Sequence, residues 1–177
     1  MASDSSVSFE RSPSSFLIEN IDILPRGRAL DIAMGSGRNA IYLAKIGYEV
    51  EGVDISQEAI NEAIKLAEES NVRIDAHRLD LETEPYIGRE IYDLIICFNY
   101  LQRSLFQDIK NGLKVGGMVV YETFIIDQAK YGRPKNPKFL LERNELLYIF
   151  EEFRCLRYRE GVFGDGRAVA SIIAEKV

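Results

Sequence analysis

Tryptophan is absent from this 177-residue chain, histidine occurs once and cysteine twice. With only His77, Cys97 and Cys155, and no CxxC pair, neither a disulfide framework nor a clustered Cys/His metal centre can be assembled. A metal-free, cytoplasmic protein is the expectation. Positive charge is also scarce, with 22 Lys and Arg against 28 Asp and Glu. The net charge of −6 disfavours a general binder of phosphate backbones, so nucleic acid is not expected as a partner. No apolar run approaches the roughly 20 residues that cross a bilayer, so no membrane partner is expected either. The opening MASDSSVSFE lacks the basic start and apolar stretch of a secretory signal. What remains is ordinary globular usage, 46% hydrophobic and 28% charged, at a length suited to one compact domain with a full core. A monomer or homodimer is the expected assembly.

Residues 1–14 are rich in serine and poor in apolar surface, which predicts a mobile N-terminal arm ahead of a single domain over 15–177. Phe16, Leu17, Ile18, Ile21 and Leu24 fall at helical spacing before Pro25. RALDIA (28–33) then reads as a strand, MGSG as a turn and NAIYLAKI as a helix closed by Gly47. YEVEGV (48–53) is a second strand, and Ser56 caps a helix with Ile60, Ala63, Ile64 and Ala67 on one face. A weak strand over 73–79 follows, then the apolar YDLIICF (92–98), suited to burial on both faces of a parallel sheet. Leu101, Leu105, Phe106, Ile109 and Leu113 form a helical stripe ending at the turn KVGG, and a fifth strand runs from Met118 to Phe124. A proline-interrupted loop, AKYGRPKNPK, precedes a helix over 144–152 and a strand over 153–161. The turn FGDGR joins that strand to Ala168–Glu175 as a hairpin. Alternating β and α units predict an α/β fold: a Rossmann-like, mainly parallel seven-stranded sheet with helices on both faces and a C-terminal antiparallel β-hairpin at its edge.

The chemistry concentrates where strands end. Gly35 and Gly37 let a ligand approach the backbone, and the helix after them offers free N–H groups to an anion. The dinucleotide pattern GxGxxG would need glycine at 33, 35 and 38, where this chain has Ala33, Gly35 and Arg38. Asp31, inside the strand, either meets a cationic group or bonds the amides of the turn. Asp54 ends the second strand and can accept both hydroxyls of a ribose; Asp80, after the third, can accept from an exocyclic amine.

At these residues the chain resembles the class I S-adenosylmethionine-dependent methyltransferases. The family pattern, an acid, a hydrophobic residue and then GxGxG, here reads Asp31, Ile32, Ala33, Met34, Gly35, Ser36, Gly37, with Ala33 in place of the first glycine. The phrases NYLQRSLF, GGMVVYETF and GRPKNPKFLLERNEL are similar to small methyltransferases of the tellurite-resistance type. The resemblance implies S-adenosylmethionine as cofactor. It assigns Gly35 and Gly37 to the methionine part, Asp31 to its amino group, Asp54 to the ribose, and Asp80 with Leu81 to the adenine. Ala33, Ile55 and Phe98 complete the implied cofactor set. It also implies in-line methyl transfer to a small-molecule acceptor.

No motif names that acceptor. Residues after the fourth and fifth strands are nominated by position: Asn99, Tyr100, Arg103, Glu122 and Thr123, with Arg133 reaching in from the loop. Arg103 and Arg133 are the expected clamp for a small anionic or soft acceptor, against the bland alternative of two solvated surface charges. His77, Cys97 and Cys155 are expected to carry no chemistry. Two other functional classes stay open on the residues alone. One is a nicotinamide-dependent oxidoreductase, which shares the sheet and Asp54; the other is a non-catalytic module binding S-adenosylmethionine.

Overall fold

The computed structural model describes residues 12–84 and 87–177. Most of the expected N-terminal arm, residues 1–11, lies outside them. Pro13 and Ser14 lie inside, and the buried Ser14 amide donates to Asn39 Oδ1 at 2.8 Å.

Seven strands form one sheet in the order β3-β2-β1-β4-β5-β7-β6. Strands β1 (Arg28–Ile32), β2 (Glu49–Asp54), β3 (Asp75–Arg78), β4 (Tyr92–Phe98) and β5 (Leu113–Phe124) pair in parallel, while β7 (Ala168–Glu175) runs antiparallel to both β5 and β6 (Arg154–Val162). The hairpin is where the sequence placed it, but its last strand is not the edge. β7 inserts between β5 and β6, so β6 takes the edge position.

The strands are held by burial on two faces. In β4 the side chains of Ile95 and Cys97 enter one apolar cluster with Phe106, Ile109, Leu146 and Phe150, while Leu94, Ile96 and Phe98 enter another with Leu17, Leu43 and Ile60. That alternation is why YDLIICF is apolar throughout. Helices α1 (Ser15–Glu19), α2 (Arg38–Lys45) and α3 (Gln57–Glu69) cover the second face, and α4 (Phe106–Gly112) and α5 (Glu145–Ile149) the first. Ser56 caps α3 as its sequence indicated, accepting from the Ala59 amide at 3.2 Å.

Two expected elements change shape. The stripe over 16–24 divides into α1 and a 3-10 turn over Ile21–Ile23. The stripe ending at Leu113 stops at Gly112, and KVGG lies inside β5 rather than in a turn. The pairing of β5 with β4 shifts register there, and a side chain on Gly117 would sit 2.9 Å from the Lys114 carbonyl. The chain leaves the sheet at Ile125 and returns at Leu141, its base pinned where the Ile126 amide donates to Leu141 O at 2.9 Å. Among the described residues no helix is long and apolar enough to cross a membrane.

Candidate active site

All the singled-out strand ends open at one edge of the sheet. The turn after β1 is left-handed at Ala33 (φ 53°), Gly35 (φ 56°) and Gly37 (φ 79°), so the alanine at the family's first glycine position adopts the glycine conformation. Asp54 holds this turn and the next one together. Its Oδ2 accepts from the Gly35 amide at 2.8 Å and its Oδ1 from the Ser56 amide at 2.9 Å. Each oxygen keeps a second lone pair for a ligand hydroxyl.

Asp31 is 2% exposed, and its Oδ2 has no hydrogen-bond partner among the described residues. Burial pushes its carboxyl up to about 8, opposed by the Ala40 amide and the Arg38 guanidinium and reinforced by Asp54. The Ala40 amide belongs to α2 and not to the turn, and Oδ2 is left without a partner among the described residues. Asp31 is among the residues lining a cavity of about 480 Å³, together with Gly35, Arg38, Phe98, Asn99 and Tyr100. A side chain added at Gly35 would meet nothing within 4 Å, so the turn faces open space.

Two further cavities adjoin it. One of about 190 Å³ lies at the ends of β2 and β3, between Asp54, Ile55, Asp80, Leu81 and Tyr100. Asp80 turns one oxygen to the Glu82 amide at 3.0 Å. The other, about 520 Å³, lies between Asn99, Tyr100, Leu101, Phe124, Arg133 and Phe139. Tyr100 lines all three. Its carbonyl accepts from the buried Tyr121 hydroxyl at 2.7 Å, which anchors the shared wall.

The acceptor-side nominations divide. Asn99, Tyr100 and Arg133 reach the cavities. Arg103 lines none of the three cavities. Its guanidinium pairs twice with Glu145, at 2.6 and 2.9 Å, and donates to the Lys138 and Leu140 carbonyls, bracing the loop that carries Arg133. Glu122 is 2% exposed and also committed, accepting from Ser171 Oγ at 2.6 Å and Arg159 Nη2 at 3.1 Å. Thr123 is buried within β5.

Sequence reasoning missed three arginines. Arg38 faces the first cavity, and burial followed by the nearby Arg167 lowers its pKa. Arg167 lies 3.8 Å from Glu122 and 3.5 Å from Asn99 Oδ1. Arg159 is sandwiched between the Phe16 and Phe163 rings, 4.6 Å from each centroid. A usable signal existed for Arg167: once β7 pairs antiparallel with β5, the FGDGR turn must sit at the carboxyl edge of the sheet.

A model of the methyltransferase domain family matches residues 29–117, half of the chain. The chain belongs to this family. The methyltransferase domain is similar to the probable S-adenosyl-L-methionine-dependent methyltransferase TehB of Haemophilus influenzae, with 25% identity over 154 residues, 82% of this chain and 52% of that protein. It thus spans about half the length of such curated relatives. The crystal structure of TehB from Haemophilus influenzae superposes with a TM-score of 0.79 and 23% identity, over 93% of this chain and 62% of that one. Geranyl diphosphate C-methyltransferase from Streptomyces coelicolor A3(2), solved with S-adenosyl-L-homocysteine, gives a TM-score of 0.71 and 16% identity, over 97% and 81%. These likenesses establish the fold, including the C-terminal hairpin.

Proposed function

We propose that the domain binds S-adenosylmethionine across the carboxyl ends of β1, β2 and β3 and transfers its methyl group to a small-molecule acceptor in the cytoplasm. The reading is carried by Asp31, a buried acid that lines a cavity beside an open glycine turn and has one oxygen without a partner among the described residues, which suits a cationic donor. The cofactor's ammonium group would satisfy it, and Arg38 would face the adjoining carboxylate. Asp54 would hold the ribose, and Asp80 with Ile55 and Leu81 the adenine. Ala33 and Phe98 supply apolar walls. Neither a nucleic acid nor a membrane is needed as partner.

When bound, S-adenosylmethionine supplies a methyl carbon whose bond to sulfur breaks in line as an acceptor lone pair forms the new bond, the electron pair staying on sulfur. The chain's contribution is alignment and exclusion of water, effects of about 7–11 kcal/mol in well-oriented systems. Asn99 and Tyr100, common to the first and third cavities, form the passage between donor and acceptor. Glu122 is held by Ser171 and Arg159, and His77 lies away from these cavities, 3.3 Å from Asp75. Neither of these two groups is placed to take a proton from a neutral acceptor, and an acceptor already ionised needs no base.

Titration calorimetry tests the binding half. S-adenosylmethionine should bind, and Asp54→Ala should weaken it by roughly 1–3 kcal/mol through the lost half-buried acceptor and the loosened Gly35 turn. Heat from a nicotinamide dinucleotide and none from S-adenosylmethionine would establish the oxidoreductase alternative instead. Cofactor binding without turnover on any acceptor would leave a non-catalytic module.

A further inference from the structure

We infer that the acceptor is an organic molecule with an apolar, ring-sized body and one anionic group, seated in the 520 Å³ cavity with its anion on Arg133. The inference rests on the methyl-transfer reading above and specifies its substrate class.

Size is the first argument. At about 30 Å³ per water-sized group, a three-oxygen inorganic anion fills on the order of 100 Å³, a small part of this space. The walls are the second. Tyr100, Leu101, Phe124, Pro134 and Phe139 present apolar surface, and Phe139 stays 47% exposed although it is a large aromatic residue on a loop. An apolar surface with a few placed polar groups is what an organic ligand requires.

Charge is the third. Two nearby cations are matched within the chain, Arg103 by Glu145 at 2.6 Å and Lys130 by Asp127 at 2.6 Å, while Lys135 and Lys138 of the same loop do not line the cavity. Arg133 lines the cavity with no carboxylate partner among the described residues. Its backbone is nonetheless fixed. Gln128, 5% exposed, donates from Nε2 to the Arg133 carbonyl at 3.1 Å and accepts from the Ala168 amide at 2.8 Å, tying the loop to the start of β7. Glu82 stands on the border with the nucleoside-side cavity and turns a negative group away from it. The acceptor is therefore oriented with its anion toward Arg133 and its reacting end toward Asn99 and Tyr100, the residues shared with the cofactor cavity.

The test uses the protein loaded with S-adenosylhomocysteine and three probes: benzoate, its neutral analogue benzamide, and selenite. Benzoate should bind about tenfold more tightly than either of the others. Arg133→Ala should bring benzoate to the level of benzamide, Arg133→Lys should keep part of the difference, and Phe139→Ala should weaken both ring compounds alike. Equal binding of benzoate and benzamide, tighter binding of selenite, or a benzoate preference that survives Arg133→Ala would overturn the inference and leave methyl transfer standing. Failure of S-adenosylhomocysteine itself to bind would remove the methyl-transfer reading, and this one with it.

Discussion

Asp31→Asn is expected to make the ligand-free protein more stable at alkaline pH and to weaken its hold on S-adenosylmethionine. The buried carboxyl titrates near 8 instead of 3.8, so the folded state keeps a proton that the unfolded chain has already released. Stability therefore falls as pH rises from about 4 to about 8, by on the order of 5 kcal/mol, and levels off above that. Below pH 4 both states are protonated and the term vanishes. Asparagine keeps an acceptor for the Ala40 amide and cannot ionise, so the variant's melting temperature should lack this part of the pH dependence. The same group links cofactor and proton. An ammonium beside Asp31 favours the carboxylate, so binding at pH 7 should release up to one proton in the wild type and none through this group in the variant. Calorimetry in buffers of different ionisation enthalpy reads that number directly. Affinity should fall roughly 10- to 100-fold, the loss of one hydrogen bond between charged groups. A flat wild-type stability profile between pH 4 and 8 would contradict the buried, unpartnered state of Asp31.

The two glycines of the turn should fail in different ways when replaced by alanine. Gly37 has φ 79°, and a side chain there would lie 2.9 Å from the Ala63 Cβ on α3. Left-handed strain of about 1–2 kcal/mol adds to overpacking of about 1–3 kcal/mol, so Gly37→Ala should lower the melting temperature by on the order of 10 °C. Gly35 has φ 56° and open space where its side chain would stand. Gly35→Ala should keep most of the stability, since only the strain applies, yet lose cofactor affinity because the new methyl group enters the cavity that Gly35 lines. Thermal melts and calorimetry on the two variants separate these effects. Equal loss of stability in both would mean that the helix contact at Gly37 is not what constrains it.

The succession of strands along the chain and the acids at their ends were legible because both are local. An apolar run such as Tyr92–Phe98 declares a central strand, and a turn residue declares where it stops. The restart of β5 at Leu113 was hidden: Leu113 continues the helical spacing of Ile109, while its strand pairing with Tyr92 depends on a register shift that no periodicity records. The pairing of Arg103 was hidden for a related reason. Its partner Glu145 lies 42 residues away, and only the folded loop brings them together. The arginine cluster of Arg38, Arg159 and Arg167 required the insertion of β7 beside β5, which the hairpin pattern alone does not dictate. Asp31, by contrast, was visible as an acid inside a strand, and its burial, unfavourable for an ionisable group, is what sets it apart.

The most direct single measurement is the difference electron density of crystals grown with S-adenosylhomocysteine. The density is expected to run from Asp31, past Gly35 and Asp54, to Asp80, with the amino group within hydrogen-bond distance of Asp31 Oδ2. Density for the nucleoside elsewhere, or an empty crevice in crystals that bind a nicotinamide dinucleotide there instead, would contradict the assignment of this edge to methyl transfer.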